Sequence, residues 1–105
     1  MPVHVLAILI PKADRIARVE EIAQGMSTDV EKNEPGTLKY QWFRAGTAEE
    51  PKIFVWEVYA DEAAAETHMA SPGLARFIEI EKQEGILAAP LQVLTLEHFA
   101  GFASR

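Results

Sequence analysis

Five apolar residues, Ile16, Val19, Ala23, Met26 and Val30, recur at alternating steps of three and four, and this stretch constrains the fold more than any other feature of the chain. Arg15, Arg18, Glu20, Glu21, Asp29 and Glu31 fill the positions between them. That period puts the apolar set on one stripe of a helix, predicted from Lys12 to Lys32, and the stripe must be buried against another element. The residues before it, Val3 to Ile10, form a near-continuous aliphatic run closed by Pro11. Such a run reads as a central strand covered on both faces. The residues after it, Asn33-Glu34-Pro35-Gly36, stop the helix, because proline cannot continue it and glycine tolerates the reversal.

Thr37 to Arg44 and Lys52 to Ala60 are rich in β-branched and aromatic residues, with the polar stretch Ala45 to Pro51 between them. They are predicted to pair as an antiparallel hairpin. Asp61 suits the N-cap of a short helix running through Ala70. Ser71-Pro72 opens a second helical piece, with serine as cap and proline at the first helical position. Leu74, Phe77 and Ile78 give that piece its apolar stripe, and Gly85 ends it. Leu91 to Phe99 is the last strand, and residues 100–105 are a loose tail. The order β-α-β-β-α-β, with the second helix broken at Ser71-Pro72, is the ferredoxin-like α+β pattern: a four-stranded antiparallel sheet with its helices on one face. At 105 residues there is room for a single domain, 1–105.

A sheet covered on one face leaves the other to be explained. Alternation separates Leu38, Tyr40 and Trp42 from Lys39, Gln41 and Phe43, and in the next strand Phe54, Trp56 and Val58 from Val55, Glu57 and Tyr59. The bulkier, drier set of each strand is expected under the helices. Lys39, Gln41, Phe43, Val55, Glu57 and Tyr59 would then share the open face, a mixture that fits a lined cavity and a second copy of the chain closing over it.

Ten Lys and Arg against sixteen Asp and Glu give a formal net charge of −6 without any basic cluster, which argues against nucleic acid as a partner. The absence of cysteine removes disulfides, thiolate catalysis and Cys-based zinc sites. His4 and His98 show no metal-ligand spacing, so no metal is expected. No apolar run approaches the roughly 20 residues that cross a bilayer, and the first ten residues lack a signal-peptide pattern, so a cytoplasmic location without membrane contact is expected.

Asn33-Glu34-Pro35-Gly36-Thr37-Leu38-Lys39-Tyr40 entering the hairpin, Phe54-Val55-Trp56-Glu57-Val58-Tyr59-Ala60-Asp61-Glu62-Ala63 after it, and then His68 and Ser71-Pro72 together resemble the antibiotic biosynthesis monooxygenase (ABM) domain. The resemblance covers nearly the whole chain. It implies a homodimeric α+β barrel whose two sheets face one another, with a pocket between sheet and helices or inside the barrel. It also implies oxidation of quinols or polycyclic aromatic intermediates by molecular oxygen without flavin, metal or haem, hence no cofactor. Relatives include haem-degrading enzymes and isomerases of small phosphorylated ketones. The haem-degrading pattern is not met: Val3 to Ile10 holds no asparagine, the third strand ends in Tyr59, and the matching helical position is Ile78. The asparagine and tryptophan that hold substrate in the aromatic-oxidising branch are replaced by Val55 and Tyr59.

These readings converge on His68 and Glu57 as candidate catalytic residues, with Tyr59, Phe43, Gln41, Lys39 and Val55 as the substrate-binding set. A histidine beside a carboxylate can act as a general base near neutral pH. Glu57, flanked by Trp56 and Val58, needs a partner wherever it is buried, and His68, Lys39 or a backbone group of the other subunit would serve. Trp42, Trp56, Phe54 and Phe77 are expected as core packing. The expected function is a cofactor-independent monooxygenase acting on a small aromatic, phenolic or quinol-type molecule, such as a polyketide or aromatic-degradation intermediate. The alternatives are a non-catalytic dimeric binding or stress-response protein, and an isomerase using His68 as its acid-base group.

Overall fold

The structure, a computed structural model, describes residues 1–105. Its elements are β1 (Val3–Leu9), a 3-10 turn (Ala13–Arg15), α1 (Ile16–Asn33), β2 (Thr37–Gly46), β3 (Pro51–Tyr59), α2 (Glu62–Met69), α3 (Pro72–Glu84) and β4 (Gln92–Leu96). The four strands make one sheet in the order β2-β3-β1-β4, every neighbouring pair antiparallel. This is the ferredoxin-like α+β fold. No helix is long and apolar enough to cross a membrane.

The local signals act where they stand in the sequence. The Asp61 side chain accepts a hydrogen bond from the Ala64 N–H at 2.8 Å, and Ser71 accepts one from the Leu74 N–H at 3.3 Å with Pro72 just inside α3. Each satisfies an N–H that the first helical turn leaves without a partner. Gly85 ends α3. The hairpin strands run further than expected, to Gly46 and Pro51, which pair across the turn. Gly46 has φ 78°, and a Cβ there would lie 2.2 Å from the Glu50 carbonyl oxygen, so only glycine fits. β4 is shorter than expected and stops at Leu96. Its partner there is His4, one residue from the start of β1.

The core lies between the sheet and the helices: Ala7, Leu9, Val19, Met26, Ile53, Val55, Phe77, Ile86 and Leu87 are buried in one cluster. In α1 the buried residues are Val19, Ala23, Met26 and Val30, four of the five that define the stripe.

The structure reverses the expected facing of β3. Ile53, Val55, Glu57 and Tyr59 are the buried phase, while Trp56 is 38% exposed on the other side. Cross-strand pairing decides this, because Tyr40 sits opposite Glu57 and Trp42 opposite Val55, and directly paired residues share a face. Tyr40 and Trp42 pack on the core cluster, so Val55 and Glu57 must follow them under the helices. Bulk was a poor guide, because the buried phase of β3 is the one that carries Glu57. Leu38 also departs from expectation: it falls at a β-bulge between Thr37 and Lys39 and is 60% exposed instead of packed under the helices.

Candidate functional site

Four elements end or pass beside one buried histidine. His68 stands in the last turn of α2 and is 4% exposed. Gly36 sets how low α2 sits over the sheet, because a Cβ there would meet the Ala64 Cβ at 2.7 Å and push the helix away. The Ala60 N–H donates to the Gly36 carbonyl at 2.8 Å, tying the end of β3 to the same point. His68 is thereby held against the residue that follows α1, Glu34, and its Nδ1 lies 2.8 Å from Glu34 Oε1. The Thr37 hydroxyl donates to the same oxygen at 3.3 Å. On the other side of the ring, Nε2 lies 3.8 Å from Glu57 Oε1 on β3, and the Tyr59 hydroxyl donates to that oxygen. The Tyr40 and Tyr59 rings flank the imidazole with centroids 5.4 Å and 5.5 Å away.

Burial governs the electrostatics of this group. Glu57 is pushed above the ordinary carboxyl range by desolvation, an effect opposed by the Tyr59 hydrogen bond and the nearby imidazole and reinforced by Glu34. Desolvation also holds the Tyr40 phenol above its usual range, with the charge of Glu57 adding to it. Tyr59 is raised for the same first reason, then by its hydrogen bond to Glu57. Both phenols are therefore neutral at physiological pH, and the Tyr59 hydroxyl is the one that donates a hydrogen bond.

Two hollows meet at His68. The inner one, about 110 Å³, lies between the sheet and α2–α3, and its walls are apolar (Leu9, Trp42, Val55, Leu74, Phe77 and Leu91 among them) except where Tyr40, Glu57 and His68 close one end. The Trp42 indole N–H, also on this wall, is buried without a hydrogen-bond partner. The outer one, about 270 Å³, lies between α1 and the α2–α3 junction and is lined by Asp29, Asn33, Glu34, Ser71 and Arg76 together with His68. The ring is thus a partition. An apolar chamber with three titratable groups at one end can hold a planar, mostly apolar molecule and exchange a proton with its polar edge. No group of three or more His, Cys, Asp and Glu side chains is arranged to hold a metal ion.

The residues singled out in the sequence divide between the two faces of the sheet. His68, Glu57, Tyr59 and Val55 gather on the helix side, and of these His68, Glu57 and Val55 line the inner hollow. Lys39, Gln41 and Phe43 are on the opposite face, opposite Val58, Trp56 and Phe54, and the Lys39 ammonium sits 3.8 Å over the Trp56 ring. They do not reach the hollow, so the single mixed face expected from alternation does not exist. Of the aromatics expected in the core, Phe77 is buried, Trp42 walls the hollow, and Phe54 and Trp56 turn to the open face. Glu34 and Tyr40 were missed as site residues. Glu34 was visible only as part of a helix stop, although a glutamate directly before Pro-Gly, where any polar residue would end a helix, was a usable signal.

Comparison with solved structures shows the same fold over the full length. The Rv0793 protein of Mycobacterium tuberculosis superposes with a TM-score of 0.81 at 21% identity, covering 98% of this chain and 100% of that one. A candidate antibiotic biosynthesis monooxygenase from Caulobacter crescentus does so with a TM-score of 0.77 at 26% identity, covering 94% of this chain and 91% of that one. The PA3566 protein of Pseudomonas aeruginosa gives 0.78 at 18% identity, over 94% and 95%. No curated protein sequence matches the chain. The family model described as antibiotic biosynthesis monooxygenase matches residues 2–80, three quarters of the sequence and every element from β1 into α3, and the chain belongs to that family.

Proposed function

We propose that the protein is a monooxygenase-like enzyme that oxidises a small phenol or quinol with molecular oxygen in the inner hollow, using His68 as general base. One observation carries the reading: an otherwise apolar chamber ends in His68, with Glu57 and Tyr40 beside it. It has a volume of about 110 Å³ and opens to solvent where the exposed side chains of Met69, Ile78 and Val93 line it. An engineered apolar cavity of about 150 Å³ takes a benzene ring, so a single ring suits this space better than a polycyclic polyketide.

In this mechanism the substrate hydroxyl gives its proton to His68 Nε2, leaving a phenolate packed against Trp42, Val55 and Phe77. Oxygen takes electrons from the ring and bonds to a ring carbon. One oxygen atom stays as a carbonyl and the other leaves as water with two hydrogens that the substrate supplied, so phenol plus oxygen becomes quinone plus water. The reducing electrons come from the substrate. Tyr40 and Glu57 hold the polar edge of the substrate, and Glu57 balances the charge that develops on the imidazole.

Oxygen uptake with a panel of single-ring phenols and quinols tests this. The expected result is one oxygen consumed per substrate with water rather than peroxide as co-product, and at least a hundredfold loss in His68→Ala, in line with the usual contribution of a general base. Saturable binding without turnover would point to the binding-protein alternative. Isomerised product without oxygen uptake would point to the acid-base isomerase.

A further inference from the structure

We infer that Glu34 is the positioning residue of this site, fixing His68 with its proton on Nδ1 and its lone pair on Nε2 toward the inner hollow; the inference deepens the proposed function and rests on it for its catalytic meaning. A neutral imidazole has one donor and one acceptor nitrogen, and the partner of one nitrogen decides what the other can do. Glu34 Oε1 lies 2.8 Å from Nδ1, and it also receives the Thr37 hydroxyl at 3.3 Å, so this oxygen is placed as an acceptor. Nε2 makes no hydrogen bond: Glu57 Oε1 lies 3.8 Å away, beyond reach, and is engaged by Tyr59. The ring is therefore tied on one side and free on the other, and the free side faces the chamber.

The surroundings support the same polarity. Glu34 follows the last turn of α1 and His68 is in the last turn of α2, so two helix C-termini, which carry partial negative charge, end beside the ring. They favour positive charge developing on it. Glu34 also lines the outer hollow, whereas Glu57 does not. The two carboxyl groups thus have different tasks: Glu34 orients the base from outside, and Glu57 meets the substrate side.

The test is the tautomer of His68, read in the free protein from long-range proton–nitrogen correlations of ¹⁵N-histidine, with the His68 signals assigned by their loss in His68→Ala. The wild type should show the Nδ1–H form when the ring is neutral. Glu34→Ala should move the proton to Nε2, where Glu57 is the remaining acceptor. An Nε2–H form in the wild type, or an unchanged Nδ1–H form in Glu34→Ala, overturns the inference. If Glu34→Ala does not fold, the wild-type spectrum decides alone. The measurement needs no substrate. A protein that takes up no oxygen with any phenol yet shows the Nδ1–H form would refute the proposed function and leave the role of Glu34 standing.

Discussion

The two faces of the sheet are both apolar, but they differ in what they tolerate. The helix face is closed by α1, α2 and α3 and carries Val55 at 2% exposure, with Glu57 and Tyr59 continuing along the same strand. The two buried carboxyls beside His68 each have a named partner: Glu34 with His68, and Glu57 with Tyr59. The open face carries the larger rings and aliphatics, with Phe43 at 45%, Trp56 at 38%, Leu94 at 46% and Leu96 at 40% exposure. Monomers rarely leave so much contiguous apolar surface in water. The contrast teaches that bulk does not identify the core side of a strand. The medium-sized β-branched residues Ile53 and Val55 pack into the same buried cluster as Phe77, while the wide rings Phe54 and Trp56 lie on the open side. We propose that a second copy of the chain covers that surface, sheet to sheet, as the homodimeric α+β barrel implied by family resemblance. Lys39, Gln41 and Phe43 would then line the barrel interior and not the chamber beneath the helices.

Placing one charge on each face is the sharpest way to break the comparison. Val55→Asp puts an unpaired carboxylate among Leu9, Trp42 and Phe77, and the cost, at least about 4 kcal/mol, is comparable to the whole stability of a small domain. The variant should be unfolded or insoluble by circular dichroism at room temperature. The neighbouring change Trp56→Asp should leave each protomer folded but separate the pair. Sedimentation should give about twice 11.7 kDa for the wild type and a single chain mass for the variant. A wild type that sediments as a monomer at micromolar concentration would remove the barrel, and a Trp56→Asp protein that fails to fold would show that the open face belongs to the core.

The smallest effect is expected at Glu57 and is one of slope. Its carboxyl is raised in the folded state, so folding favours the protonated form. The stability associated with that form is complete below the ordinary value of 4.5 and is lost as pH rises through the raised one. Wild-type stability should therefore fall with pH across that window. Glu57→Gln, which can still accept the Tyr59 hydroxyl, should show a flatter profile in urea titrations from pH 4 to 8. Equal slopes for the two proteins would mean that the partners of Glu57 outweigh its desolvation.

How much of this was legible in the sequence follows from the distance over which each feature is decided. The stripe of α1, the caps at Asp61 and Ser71, the stop at Gly85 and the order of elements are each settled within a few residues by hydrogen-bond satisfaction and side-chain period, and all of them stand in the structure. His68 and Glu57 could be picked out because a histidine between small helical residues and a carboxylate in an apolar strand are each locally anomalous. The phase of β3 was not decided locally. The set carrying Glu57 goes under the helices while the wholly apolar set Phe54, Trp56 and Val58 faces away, so hydrophobicity points the wrong way, and only pairing with β2 beyond the bulge at Thr37 and Lys39 determines the facing.

Glu34 shows the same limit from the other side. Its backbone role, ending α1 before Pro35-Gly36, is written in its neighbours. Its side-chain role depends on His68, 34 residues further along the chain, and on the close approach of Ala64 to Gly36 that brings α2 down beside it. By itself the sequence determined the elements, their order and which residues carry unusual chemistry, because these depend on short-range sterics and hydrogen bonding. The tertiary structure alone decided which face of the sheet each strand offers and which titratable groups meet across it, because register and helix docking are settled by packing between residues far apart in the chain.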